Sequence, residues 1–65
     1  ADMLLTKRET EILNLIAQGL DSQRISEKLF ISVNTVNNHR QKILNKTQTD
    51  NTSQAILYAK KMGII

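Results

Sequence analysis

Ile31 to Leu44 reads I-S-V-N-T-V-N-N-H-R-Q-K-I-L, and this stretch decides how the chain is read. Ser32 is a favourable N-cap, so a helix is expected to start just after it. On that helix Val33, Val36, Ile43 and Leu44 recur at helical spacing and form a stripe to be buried. Asn34, Asn38, Gln41 and Asn45 fall on the other side, with Asn37 on its flank. Asn is a poor helix former, because its side chain competes with the backbone for hydrogen bonds. A face selected for stability alone would carry Glu, Lys or Ala. A row of amides points to a face selected for what it touches, and amides pair bidentately with adenine in the major groove.

Upstream of this segment, two more helices can be read. Thr6 with Glu9 three residues on forms a capping box. Ile12, Leu13, Ile16 and Leu20 follow at helical spacing, and Gly19 offers a left-handed stop, so the first helix covers roughly 7–18. Asp21 or Ser22 caps a second helix over roughly 22–29, with Ile25 and Leu29 inward. Only Phe30, Ile31 and Ser32 separate it from the third helix, expected over about 33–46. Two helices joined by three residues, the second poor in acids and rich in polar side chains, make a helix-turn-helix pattern.

Downstream, 47–51 is a polar loop, and Asn51 with Gln54 resembles a further capping box. A fourth helix is expected over about 52–62, with Ala55, Tyr58, Ala59 and Met62 inward. Gly63 followed by Ile64 reads as a Schellman stop. The expectation is an all-α fold, a compact four-helix bundle containing a helix-turn-helix. Residues 1–4 read as a linker stub or an appended scar, and 5–65 as one domain.

Composition narrows the function. A chain of 65 residues holds one small domain. It has no Cys and a single His, His39, and Glu9 and Glu11 are two apart, so they do not share a helical face. That inventory supplies no metal set, no acid–base pair and no glycine-rich phosphate loop, so an enzyme is not expected and no cofactor is called for. No apolar run approaches the ~20 residues of a membrane span. Net charge is +3, and its distribution says more than its size. No Asp or Glu lies between Glu27 and Asp50, while Lys28, His39, Arg40, Lys42 and Lys46 lie there. A segment that approaches phosphates is kept free of anions.

Asn34, Asn37, Asn38 and Gln41 are therefore the candidate base contacts. Ser22, Gln23 and Thr35 sit at helix N-termini, where backbone N–H groups attract phosphate oxygens. With Arg40, Lys42 and Lys46 they form the candidate phosphate contacts. Arg40 lies near the apolar stripe, so its stem has a packing role open to it as well. His39 suits packing and phosphate contact equally. Asn45 lies more than two turns into the helix and is assigned to solvent or a phosphate.

L-T-K-R-E-T-E-I-L-N-L-I-A-Q-G from Leu5 to Gly19, with I-S-V-N-T-V-N-N-H-R-Q-K-I-L-N-K from Ile31 to Lys46, resembles the LuxR-type helix-turn-helix. This is the C-terminal output domain of many bacterial response and quorum-sensing regulators of the LuxR/NarL/FixJ kind. The T-x-R-E, I-S-x-x-T-V and x-H-x-x-x-I-x-x-K elements are specific in combination. The resemblance implies a cytoplasmic transcription regulator that binds double-stranded DNA with its third helix in the major groove. It implies base contacts after T-V, here Asn37, Asn38 and Gln41. It also implies a homodimer through the fourth helix, on Ser53, Ile56, Leu57 and Lys60. The chain departs from the family pattern at three places. Asn37 stands where Lys is common. Asp21 to Ser26 reads D-S-Q-R-I-S for S-N-K-E-I-A. Lys46 to Thr52 reads K-T-Q-T-D-N-T for K-L-x-V-x-x-R. Two rivals remain: a promoter-reading domain like that of sigma factors, which shares the T-K-R-E box, and a helical module whose amide face docks a protein such as RNA polymerase.

Overall fold

Four side-chain oxygens start four helices. In the computed structural model, which describes residues 5–65, these are α1 (Lys7–Ala17), α2 (Ser22–Leu29), α3 (Val33–Thr47) and α4 (Thr52–Lys61). The expected stub at 1–4 lies outside the described residues. Thr6, Asp21, Ser32 and Asn51 stand at the N-caps in extended backbone. Each accepts the N–H three residues on, from Glu9, Arg24, Thr35 and Gln54. The box at α1 closes both ways, with Thr6 N donating to Glu9 Oε1 at 3.0 Å. The box expected at α4 forms only in one direction. Gln54 Oε1 reaches past the cap and accepts from the Asp50 N–H at 3.2 Å.

The four C-termini share one solution. Gly19, Phe30, Gln48 and Gly63 all take positive φ, at 96°, 58°, 56° and 74°. In each case the next N–H reaches back five residues: Leu20 to Leu15, Ile31 to Ser26, Thr49 to Leu44, and Ile64 to Ala59. This is the Schellman arrangement, and it satisfies carbonyls the helix leaves without partners. Glycine adopts the conformation freely, but Phe30 and Gln48 carry a Cβ that meets the following carbonyl. Phe30 gains nothing visible in return, since it is 93% exposed. Phe30→Gly is therefore expected to stabilise the domain by about 1 kcal/mol, or about 4–8 °C for a domain of this size. Thermal unfolding followed by circular dichroism checks this, and a lower midpoint would show that the Phe30 side chain holds the turn.

Helical spacing then gathers the core. Leu5, Ile12, Leu13, Leu15, Ile25, Val36, Ile43, Ala55 and Ala59 are buried, ringed by half-buried Ile16, Leu20, Leu29, Ile31, Leu44 and Ile56. Ala55 and Ala59, one turn apart and fully buried, let the α4 backbone lie close to α1 and α3. Met62 is not inward as its spacing predicts; it is 60% exposed. Helix α4 ends at Lys61, and the turn at Gly63 swings Ile64 and Ile65 against the core instead. At the end of α3, where the family pattern has two apolar anchors, Thr47 and Thr49 join their hydroxyls at 2.8 Å. Thr47 is buried and also lies 2.8 Å from the Ile43 carbonyl, so no polar atom of this pair is stranded.

Candidate nucleic-acid interface

The buried side of α3 fixes what its other side shows. Val36 and Ile43 are fully buried. Asn34, Asn37, Asn38, Gln41, Lys42 and Asn45 are all exposed, so the amide row stands on the outer surface as its spacing predicts. The Asn38 side chain makes no hydrogen bond within the described residues. Asn37 does: Ser22 Oγ, at the start of α2, donates to Asn37 Oδ1 at 2.8 Å. Gln41 Nε2 donates to Asn45 Oδ1 one turn further along α3, at 3.2 Å.

The candidate phosphate contacts divide into groups. Ser22, Gln23 and Arg40 are brought together around one shallow hollow at the N-terminus of α2, beside Ile16, Gly19, Leu20 and the capping Asp21. Arg40 is half-buried there, which fits an apolar stem with an outward guanidinium. Gln23 also donates to Glu27 Oε2 at 3.1 Å. Thr35 stands at the first turn of α3, its N–H and hydroxyl both on Ser32 Oγ. Lys42 is exposed and forms no ion pair within the described residues.

Lys46 stands apart. Its Nζ lies 2.8 Å from Glu9 Oε1, the carboxylate that closes the α1 capping box. The Glu9 side chain is only 3% exposed and that of Lys46 35%. Burial pushes the Glu9 carboxyl up. The Lys46 hydrogen bond, the Thr6 N–H, the Lys46 charge and the Thr6 hydroxyl together outweigh burial and hold it below its ordinary value. The end of α3 is thus tied to the first turn of α1. Sequence spacing could not reveal this contact, because the partners lie 37 residues apart. The same holds for Ser22 and Asn37, 15 apart on different helices. The Gln41–Asn45 pair was within reach of the sequence, since both lie on one helical face. The imidazole of His39 is half-buried, and its Nδ1 is buried with no hydrogen-bond partner among the described residues, which favours the packing reading.

On α4, Ser53, Leu57 and Lys60 are exposed, Leu57 by 68%, while Ile56 packs half-buried on the core. Among the described residues no three His, Asp or Glu side chains gather as a metal set. No described helix is long and apolar enough to cross a membrane.

Residues 3–59 match the family described as bacterial regulatory proteins, luxR family. The chain is 44% identical to the transcriptional regulatory protein LiaR of Bacillus subtilis over 61 residues, which are 94% of this chain and 29% of LiaR. It is 43% identical to the transcriptional regulatory protein YxjL of the same organism over 60 residues, 92% of this chain and 28% of YxjL. It is 42% identical to the oxygen regulatory protein NreC of Staphylococcus carnosus over 62 residues, 95% of this chain and 29% of NreC. The chain thus spans under a third of the length of these relatives. Among solved structures, the transcription factor GerE superposes with a TM-score of 0.92 at 38% identity, covering 97% of this chain and 94% of GerE. ChrA, the response regulator of a heme-sensing two-component system, gives the same score and identity over 100% of this chain and 32% of its own.

Proposed function

The chain belongs to the luxR family of bacterial regulatory proteins, whose shared domain is a DNA-binding helix-turn-helix of transcription regulators, and from that premise we propose how it engages duplex DNA. Helix α3 lies in the major groove, with Asn37, Asn38 and Gln41 on base edges and Asn34 beside them. The observation that carries this is the exposed amide row on α3, standing next to the hollow where Ser22, Gln23 and Arg40 converge. The first N–H groups of α2 and the Arg40 guanidinium hold one phosphate, and Thr35 and Lys42 hold others on either side of the groove. Lys46, already paired with Glu9, serves first to seat α3; its ammonium reaches a phosphate only by sharing that partner. Amide readers favour half-sites containing A·T pairs.

A single module of this size covers roughly 600–1,000 Å² of protein surface on DNA. Tight binding then takes two copies, on half-sites about 10 bp apart, joined through Ser53, Ile56, Leu57 and Lys60 of α4. In the whole protein the domain acts as the output end of a cytoplasmic regulator, where DNA is the partner and no membrane is needed.

Binding to duplex DNA measured across a salt series tests this reading. Affinity is expected to fall steeply with salt, and Lys42→Gln to reduce the log–log slope by about one. No binding at low salt would leave the amide face to a protein partner such as RNA polymerase. Binding with an unchanged slope would return Lys42 to solvent.

A further inference from the structure

The hollow at the N-terminus of α2 is divided in its own chemistry. Arg40 brings one cation to it and forms no ion pair among the described residues. Asp21 brings a carboxylate to the same hollow, exposed to solvent. Its Oδ1 accepts the Arg24 N–H at 2.9 Å, and its Oδ2 has no hydrogen-bond or ion-pair partner among the described residues. The other polar side chains there are already engaged, Ser22 with Asn37 and Gln23 with Glu27. Against the family pattern S-N-K-E-I-A, Asp21 stands in place of Ser and Gln23 in place of Lys, and both changes make the hollow more negative. Arg24, in place of Glu, lines a neighbouring hollow with Glu27 and Lys28 instead. Capping α2 does not require this charge, because Asn and Ser cap about as well as Asp.

Resting on the DNA-binding function proposed above, we propose that Asp21 limits affinity: its carboxylate opposes the phosphate that the first N–H groups of α2 and Arg40 hold. A phosphate contact carries no base information, so a charge that opposes it weakens binding alike on every sequence. Choice among sequences stays with the amide row of α3. Two like unit charges ~6 Å apart in water cost about threefold in affinity. Asp21 is exposed, so salt screens its effect.

Duplex binding by the wild type, Asp21→Asn, Asp21→Ser and Glu11→Gln across a salt series tests the proposal. The two Asp21 variants keep a capping oxygen, and circular dichroism checks that they fold; Asp21→Ser also brings no amide that could donate to a phosphate. Both are expected to bind a selected site and random duplex about threefold tighter at low salt, with a gain that shrinks as salt rises. Glu11→Gln removes the same charge from a different hollow, beside Leu5, Gly63 and Ile64, and is expected to change affinity far less. Unchanged or weaker binding by the Asp21 variants would overturn the proposal. So would an equal gain in Glu11→Gln, which would make net charge alone the cause, or a gain confined to the selected site, which would place Asp21 among the base readers. If the wild type binds no duplex at low salt, the DNA reading falls and this proposal with it.

Discussion

Glu9→Ala is expected to destabilise the domain by about 2–3 kcal/mol and to lower its melting point by about 10–20 °C. Three losses combine. The Thr6 N–H loses its acceptor, undoing half of the capping box. Lys46 loses its carboxylate partner. A buried side chain vanishes, which leaves space in a core with few large side chains. The ion-pair share is kept modest because the Lys46 side chain is 35% exposed and water replaces part of what it loses. Glu9→Gln separates the effects, since it keeps an acceptor and the volume but not the charge, and it should cost about 1 kcal/mol. The sign with pH follows from the lowered carboxyl. Stability from the charged form is fully present above the ordinary value of 4.5 and is lost as pH falls through the lower folded value. The gap between wild type and Glu9→Gln, measured by denaturant unfolding, should therefore be widest near neutrality and close in acid. A gap independent of pH would mean that the pair contributes nothing.

Asn38→Ala is expected to remove about 1–3 kcal/mol of discrimination at one base pair, or roughly 5- to 150-fold in relative affinity between the preferred base and its competitors. Affinity for unrelated duplex should hardly change, because the lost contact carries no phosphate. The reasons lie in position and in freedom. Asn38 is exposed, stands on the same face as Asn34 and Gln41, and has no internal hydrogen bond to break before it pairs with a base. Competition binding with single-base variants of a selected site measures the effect. An equal loss on every sequence would move Asn38 from the base edges to the backbone of the DNA.

The helices were legible because each depends on neighbours in sequence. Caps at Thr6, Asp21, Ser32 and Asn51 act three residues away, and the buried stripes repeat with the helical turn. The amide row followed from the same period. What spacing could not supply was anything decided between helices. Lys46 reads as one more surface cation until α1 brings Glu9 to it. Ser22 reads as a cap or a phosphate contact until α3 sets Asn37 against its hydroxyl. Met62 fits the inward pattern of α4, yet the turn at Gly63 hands its place to Ile64 and Ile65. Phe30 shows a different limit. Its exposure could not be foretold, because bulky apolar side chains normally seek burial, and here a helix stop imposed the backbone first.

The tie between Glu9 and Lys46 also bears on time. It joins the first turn of α1 to the last turn of α3 across 37 residues of sequence, whereas only three residues separate α2 from α3. Contacts that close late are absent at the folding barrier, so their loss is felt on the way out rather than on the way in. A domain lacking Glu9 would assemble at nearly its usual pace and come apart sooner. Its lifetime, more than its rate of formation, is expected to change, and stopped-flow unfolding and refolding of Glu9→Ala separate the two.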